Sequence, residues 1–499
     1  MHPSRGNKFE SGRLGRRDWL RGLVGGVGGW MVVGGVGFDG GIARGEELGA
    51  SAESLKFRVR SVVDLSGEVH LSAQNAASTR KDGKPEIARR AAVRSVSTLD
   101  YDEQYEIKES ESEWLGYQYF HEATSEITVD RHETRTALRD NSRELVRLST
   151  ASGLTVAGLS SPLFSAEREL VQGSIDSMYL DGLLTDREVA ISDKWMVDRA
   201  VVAKLFHLDA VLEGDLTVCL VDLDEQRAHL EMKGELQASV RDVPTRMQIE
   251  GKGLMDRAGG YVSWLAVQVL ETRDIGEAEP GFEVTAQIRV LRAPIESMTS
   301  GRELKDVLGE VPALRGPELL QYQSDLGYYR FLADRRWSTY RDNGEEATLR
   351  YILNNRRVAQ CNITNLVDFQ PGEQLTLEGF QGDLSRLAAK TGREILEATE
   401  RLSRTSHRVL RITLGGQADG VAIRWVHYHV SNDEGRRLTL VFITDEASLE
   451  VFGEQDDQIV ETLELMAWPT KLDKDVLEKT AAESAVESAS VPAAGKTNR

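Results

Sequence analysis

The sequence predicts an α+β protein, with a β-rich antiparallel N-terminal domain that can curve into a half-barrel, followed by a compact α+β sandwich domain. Three observations carry this reading. Apolar and polar residues alternate over long stretches of the first half, as in Leu55 to Val63, Gly67 to Ala73, Glu126 to Val129 and Ala228 to Val240, the period of a half-buried strand. Helical spacing appears only locally, at Val201, Val202, Leu205 and Phe206 and again over Leu375 to Lys390. The chain has 499 residues, more than one hydrophobic core normally serves, so two folded domains with tails are expected.

The first element is an address. Gly15-Arg16-Arg17-Asp18-Trp19-Leu20-Arg21 has the form of a twin-arginine export motif, with Arg16, Arg17, Trp19 and Leu20 as its core, followed by a glycine-rich, weakly apolar stretch from Gly22 to Phe38. That stretch is shorter than the ~20 apolar residues of a membrane span, so the mature chain is expected to have no membrane span. Ala50-Ser51-Ala52 offers the small-x-small pattern of a cleavage site, with Ala50 and Ala52 at the small positions. Cleavage after Ala43 and retention of the signal stay open. The expected location is periplasmic or extracellular.

Residues 53–295 read as the β-rich domain. Its clearest hairpin joins Leu216–Asp222 to Ala228–Met232 through a polar turn containing Asp222 and Asp224, both assigned to turn chemistry. Leu254 to Val269 and Glu283 to Leu291 extend the sheet, and a helix at Asp198 to Leu208 is expected to cover one face. The domain resembles the half-barrel lipid carriers of the LolA type, although no motif in these residues marks one. Residues 296–320, with Gly301, Gly309, Pro312, Gly316 and Pro317, read as a linker with a short helical stretch.

Residues 321–468 form the second domain. Strands are expected at Tyr328 to Asp334, Thr348 to Asn354, Val358 to Thr364, Val409 to Leu414, Val421 to Ser431 and Arg437 to Thr444. An amphipathic helix over Leu375 to Lys390 places Leu377, Phe380, Leu384, Leu387 and Ala388 on one face, and helical turns close the domain around Leu449 to Phe452 and Gln458 to Leu463. Residues 469–499, rich in Ala, Glu, Ser and Lys, read as a disordered tail.

Arg336-Trp337, Val358-Ala359-Gln360-Cys361-Asn362-Ile363, Gly372 to Glu378 and Glu434-Gly435-Arg436-Arg437 resemble segments of a family of exported bacterial proteins of unknown function. The order of strands, central helix, strands and final helix is similar to PsbP-like domains. That resemblance implies an α/β sandwich acting as an accessory or binding module, and it transfers no ligand-binding residue.

Composition excludes several chemistries. The balance of 61 basic and 80 acidic residues gives a formal charge of −19, which repels nucleic acid and anionic membranes; the local basic group Arg80, Lys81, Arg89 and Arg90 reads as a solvated loop. Cys219 and Cys361 make neither a disulfide framework nor a cysteine metal cluster, and read as buried free thiols, with an interdomain disulfide as the alternative. His427 and His429 lie two apart on one strand face with Trp425, the weak candidates for metal ligands. Two histidines do not make such a site without a third donor, with His407 the nearest in sequence. His121 and His132, near Glu122, Glu126 and Asp130, are candidates for acid–base chemistry. Gly158 to Pro162 lacks the pattern of a nucleophile elbow, and no Walker loop occurs. The aromatic residues of the second domain read as core.

The resulting expectation is an exported, non-catalytic binding or accessory protein of the cell envelope that needs no cofactor. Its partner would be a lipophilic ligand or an envelope protein. An envelope hydrolase or metal-dependent enzyme, and a structural subunit of an envelope complex, are the alternatives.

Overall fold

The computed structural model describes residues 56–72, 87–108, 113–150, 153–276, 279–307, 309 and 318–468. The export motif, both cleavage positions, Arg80, Lys81 and the tail from 469 lie outside the described residues.

The first unit is a twelve-stranded antiparallel sheet made of β1 (Lys56–Ser72), β2 (Ile87–Lys108), β3 (Glu113–Val129), β4 (His132–Ala137), β5 (Glu144–Thr150), β6 (Gly153–Gly158), β7 (Lys194–Met196), β8 (Ala210–Leu223), β9 (Arg227–Val240), β10 (Val243–Asp256), β11 (Tyr261–Arg273) and β12 (Gly281–Pro294). Their order is β6-β5-β3-β2-β1-β12-β11-β10-β9-β8-β7, with β4 hydrogen-bonded to β3. The sheet is open, with β6 and β7 at its edges, and not a closed barrel. Strand alternation decides its two faces. Along β9, Leu230, Met232, Leu236 and Ala238 are buried while Glu231, Lys233 and Glu235 are exposed. The expected hairpin is present as β8–β9, pairing Val218 with Met232 and Leu220 with Leu230. Asp224 closes its turn by accepting the Gln226 and Arg227 N–H groups at 2.8 and 2.7 Å. Leu254 to Val269 is not one strand but the end of β10, a turn at 257–260 and β11.

The inner face is filled. Between β6 and β8 the chain forms α1 (Ser165–Gln172), a 3-10 segment at Ser177–Leu183 and α2 (Arg199–Leu205). Leu170, Leu180, Leu183, Val202, Leu205 and Phe206 of this stretch share one core with Phe57, Leu216, Ile249 and Ile288 of the sheet. The helix expected over Asp198 to Leu208 therefore covers a sheet face. On the outer face, residues beyond β12 fold back, and α3 (Leu304–Val307) with Met298 covers Leu115, Tyr117, Val146 and Leu148 of β3 and β5. The early part of the 296–320 stretch is thus packed structure.

The second unit contains a three-stranded sheet, β13 (Leu319–Ser324), β14 (Tyr329–Asp334) and β22 (Glu464–Leu465), and a seven-stranded one. The larger sheet comprises β15 (Trp337–Asp342), β16 (Glu346–Leu353), β17 (Arg356–Asn365), β18 (Glu394–Leu402), β19 (Arg408–Ala418), β20 (Val421–Ser431) and β21 (Arg437–Asp445), in the order β15-β16-β17-β21-β20-β19-β18. After β17 the chain forms α4 (Leu377–Thr391), crosses to the far edge and returns strand by strand until β21 pairs with β17. Thr376 caps α4 by accepting the Gly379 N–H at 3.1 Å, and Gly392 ends it with φ of 67°, a left-handed C-terminal stop. α4 lies on one face, burying Phe380, Leu384 and Ala388 against Leu410, Ile412 and Leu414. Leu387, expected on that face, is 38% exposed. The opposite face carries α5 (Leu449–Phe452), α6 (Gln455–Thr462) and the small sheet.

The two units join through buried polar contacts. Glu318 accepts from Arg168 of α1 at 2.6 Å and lies 3.4 Å from Arg335. The Gln321 N–H of β13 donates to Leu163 at 2.8 Å, and Leu320 enters the first core.

Candidate functional site

A shallow depression of about 1,070 Å³ lies on the outer face of β7–β12, which no described element covers. Register builds it. One row of cross-strand neighbours runs Lys194, Cys219, Glu231, Lys252, Ala266, Arg289; the next runs Thr217, Lys233, Glu250, Gln268, Gln287. Ala266, Cys219 and Thr217 are short, so longer side chains on either side stand above them. Lys233 pairs with Glu250 at 2.7 Å and Lys252 with Glu231 at 3.4 Å. Among the described residues Lys194 and Arg289 have no ion-pair partner. Four cations against two carboxylates make this region positive in a chain whose formal charge is −19. A third row sets Trp264 between Leu254 and Leu291 at its margin, with Leu291 52% exposed.

A second cluster is interior. Arg147 of β5 donates to Asp176 at 2.7 Å, both 2% exposed. Ser177 donates to Glu103 at 2.5 Å and bonds Tyr101 at 2.8 Å; Arg292 pairs with Asp181 and donates to the Ser177 carbonyl at 3.1 Å. Burial pushes the Glu103 carboxyl up to about 7 despite nearby Arg292, and burial pushes Glu169 of α1 up to about 8. Perturbed carboxyls often mark active sites, but these are sealed between sheet and helices. The Tyr101, Glu103 and Arg292 contacts hold Ser177–Leu183 on the sheet.

The histidine candidates separate. His427 and His429 project under α4, flanked by Ile412 and Val441 and by Leu410 and Thr439 respectively. His407 does not join them, because its Nε2 accepts the Leu465 N–H at 3.1 Å. No third donor converges, and among the described residues no group of three His, Cys, Asp or Glu side chains is placed to hold a metal ion. His121 Nε2 lies 3.1 Å from Asp102, not against Glu122, Glu126 or Asp130; Asp130 pairs with Arg89, and His132 stands opposite Val129 at the start of β4. Asp102 also accepts from Arg58 at 3.1 Å and the Thr299 N–H at 2.8 Å. These hydrogen bonds outweigh burial and hold its carboxyl below the usual range. Among the described residues no hydroxyl hydrogen-bonds to His121, so the dyad lacks a nucleophile. Both cysteines are free, Cys219 half-buried at the depression and Cys361 fully buried. Tyr322, Tyr329 and Phe331 stack on one another in the second unit, with Tyr322 and Phe331 centroids 4.7 Å apart.

No protein-family model matches the chain, and no curated protein matches it. Similar solved structures include a crystal structure from Bacteroides thetaiotaomicron VPI-5482, with 9% identity, 34% of this chain and 59% of that chain covered and a TM-score of 0.22. The immunity protein TplEi of the T6SS from Pseudomonas aeruginosa, complexed with "L" peptide, has 11% identity over 46% of this chain and 95% of that one, with a TM-score of 0.19. The Tle4–Tli4 complex has 10% identity over 74% and 95%, with a TM-score of 0.18. Likeness at this level assigns no function.

Proposed function

We propose that the protein is an exported binding protein of the cell envelope that acts without catalysis, docking an acidic protein surface on the outer face of β7–β12. The observation that carries this reading is the positive depression on an otherwise acidic molecule, which no described element covers while α1 and α2 fill the inner face and α3 covers the outer face at β3 and β5. A flat, polar, solvent-facing strand surface suits a protein partner better than a lipid, since a lipid on the inner face would have to displace Leu183, Leu205 and Phe206. The open sheet wrapped on α1 and α2 supports a half-barrel form for the first unit. A single antiparallel sheet between α4 and α5–α6 supports a PsbP-like accessory module for the second. The Arg16-Arg17 motif supports twin-arginine export to the periplasm or beyond.

The test is native mass spectrometry of the protein purified from its own envelope, compared with a Lys194→Glu/Arg289→Glu variant. A protein that accompanies the wild type and is lost from the variant supports docking on this face. Equal retention by the variant moves the interface elsewhere, a lipid released on denaturation replaces the protein-partner reading with a carrier, and a bare monomer rules out a tight complex.

A further inference from the structure

The packing beneath α4 buries two imidazoles and leaves three of their four ring nitrogens without a hydrogen bond. His427 is 9% and His429 2% exposed, and His427 Nε2 and both ring nitrogens of His429 lack a hydrogen bond. Phe380 of α4 lies over His429, with ring centroids 5.9 Å apart. A buried imidazole with no acceptor is stable only as the neutral base. Burial lowers both histidines to about 4.

The charges that act directly on the two imidazoles are arginines, and they oppose protonation. Arg393, just after α4, stacks on Trp425 at 3.7 Å and faces His427; Arg408 of β19 and Arg437 of β21 face His429. Carboxylates are present but engaged with these arginines: Glu400 of β18 bonds Arg408, while Asp368 and Glu373 of the loop before α4 face Arg437. Glu397 of β18 binds Arg411. On α4 itself, Glu378, Asp383, Arg386 and Lys390 all point to solvent. No carboxylate among the described residues forms an ion pair with either imidazole.

α4 is also lightly held. Only Phe380, Leu384 and Ala388 of its fifteen residues are buried. Glycines in the left-handed region flank it, Gly372 with φ of 83° and Gly392 with φ of 67°, each with open space where a Cβ would stand. Glycine can change backbone conformation at both positions at little steric cost, with the Gly372 N–H bond to the Asp433 carbonyl at 3.0 Å as the contact to be released.

We propose that α4 is a hinged cover which acid lifts from the β19–β20 face, because two protons cannot be accommodated beside three arginines while the helix is seated. When α4 lifts, the imidazoles reach water and recover ordinary basicity. By linkage the open form gains about 20-fold per histidine at pH 5 relative to pH 7.

The experiment is hydrogen exchange of the full chain at pH 7 and pH 5, corrected for intrinsic exchange rates, comparing wild type with His427→Leu/His429→Leu. Exchange over 377–391 should accelerate on acidification by at least tenfold in the wild type while β16 and β17 stay protected, and the double variant should lose this response. Equal acceleration in the variant, or none in the wild type, overturns the proposal. If the variant does not fold, imidazole proton resonances of the wild type decide. Titration of both rings in the seated form well below pH 6 agrees with the cover, and titration near 6.5 with α4 still protected refutes it.

Discussion

The two sheets bury polarity in opposite senses. In the first unit the helix-covered face is fastened by ionised pairs, Arg147 with Asp176 and Arg168 with Glu318, beside carboxyls that burial holds in their neutral form. In the second, the face under α4 contains neutral imidazoles that form no ion pair among the described residues. The difference gives the units opposite responses to pH. Glu103 and Glu169 favour the protonated form in the fold, so their contribution is complete below the ordinary carboxyl range and is lost as pH rises through about 7 and 8. His427 and His429 favour the unprotonated form, so their contribution is complete above 6.5 and is lost as pH falls through about 4. One chain thus contains a core weakened by base and a covered face weakened by acid.

Breaking one partner of an ionised pair should have the largest effect. Arg147→Met leaves the Asp176 carboxylate buried with only the Met178 N–H, at 3.2 Å, as a direct donor, and should cost about 3–5 kcal/mol by urea denaturation. Adding Asp176→Asn, which keeps the turn contact but removes the charge, should restore most of that loss. If the single variant unfolds at the wild-type midpoint, the pair does not fasten Ser177–Leu183. Glu318→Gln comes next, at about 3 kcal/mol, because Arg168, 1% exposed, loses its counter-charge. The Gln321 N–H, bonded to Leu163, should then exchange faster than in the wild type, and unchanged exchange would show that the junction rests on apolar packing.

The pH contrast is sharpened by Glu169→Gln. At pH 4.5 both proteins are expected to unfold at similar urea concentrations, since the wild-type side chain is then neutral in the fold. Toward pH 8.5 the wild type must ionise a carboxyl with no hydrogen bond to Oε2, or hold its proton against the solvent. The variant should become the more stable by up to about 4 kcal/mol. A gap that widens toward acid instead would place the burden on another group.

Local order was legible in the sequence and long-range pairing was not. The β8–β9 hairpin could be read because alternation was clean and Asp224 sits where a turn needs an acceptor, and α4 because Phe380, Leu384 and Ala388 keep helical spacing. β18 was missed because, as an edge strand, it exposes Glu394, Glu397 and Glu400 and shows no two-residue rhythm. β5 was missed because α3 covers its second face, burying Val146 and Leu148 as well as Leu145 and Arg147. Arg147 finds Asp176 and His121 finds Asp102 only through strand register and the path of the covering helices. Neither pairing leaves a local signal. The depression is equally a product of register, since Ala266 is an ordinary alanine until its neighbours across the sheet prove to be Lys252 and Arg289.

The smallest energetic effect separates the two cysteines. Cys219 faces the depression with its thiol half-buried, whereas Cys361 is fully enclosed and burial pushes its thiol well above the usual range. Since the thiolate is the reactive species, iodoacetamide at pH 8 should modify Cys219 in the folded protein and reach Cys361 only in denaturant. Alkylation at Cys219 adds bulk on an open face, so the urea midpoint should not move. The same adduct occupies the floor between Lys194 and Glu231, and a partner seated on this face must collide with it. Loss of the accompanying protein at unchanged stability therefore ties binding to β7–β12, while a bound partner that tolerates the adduct would exclude that face.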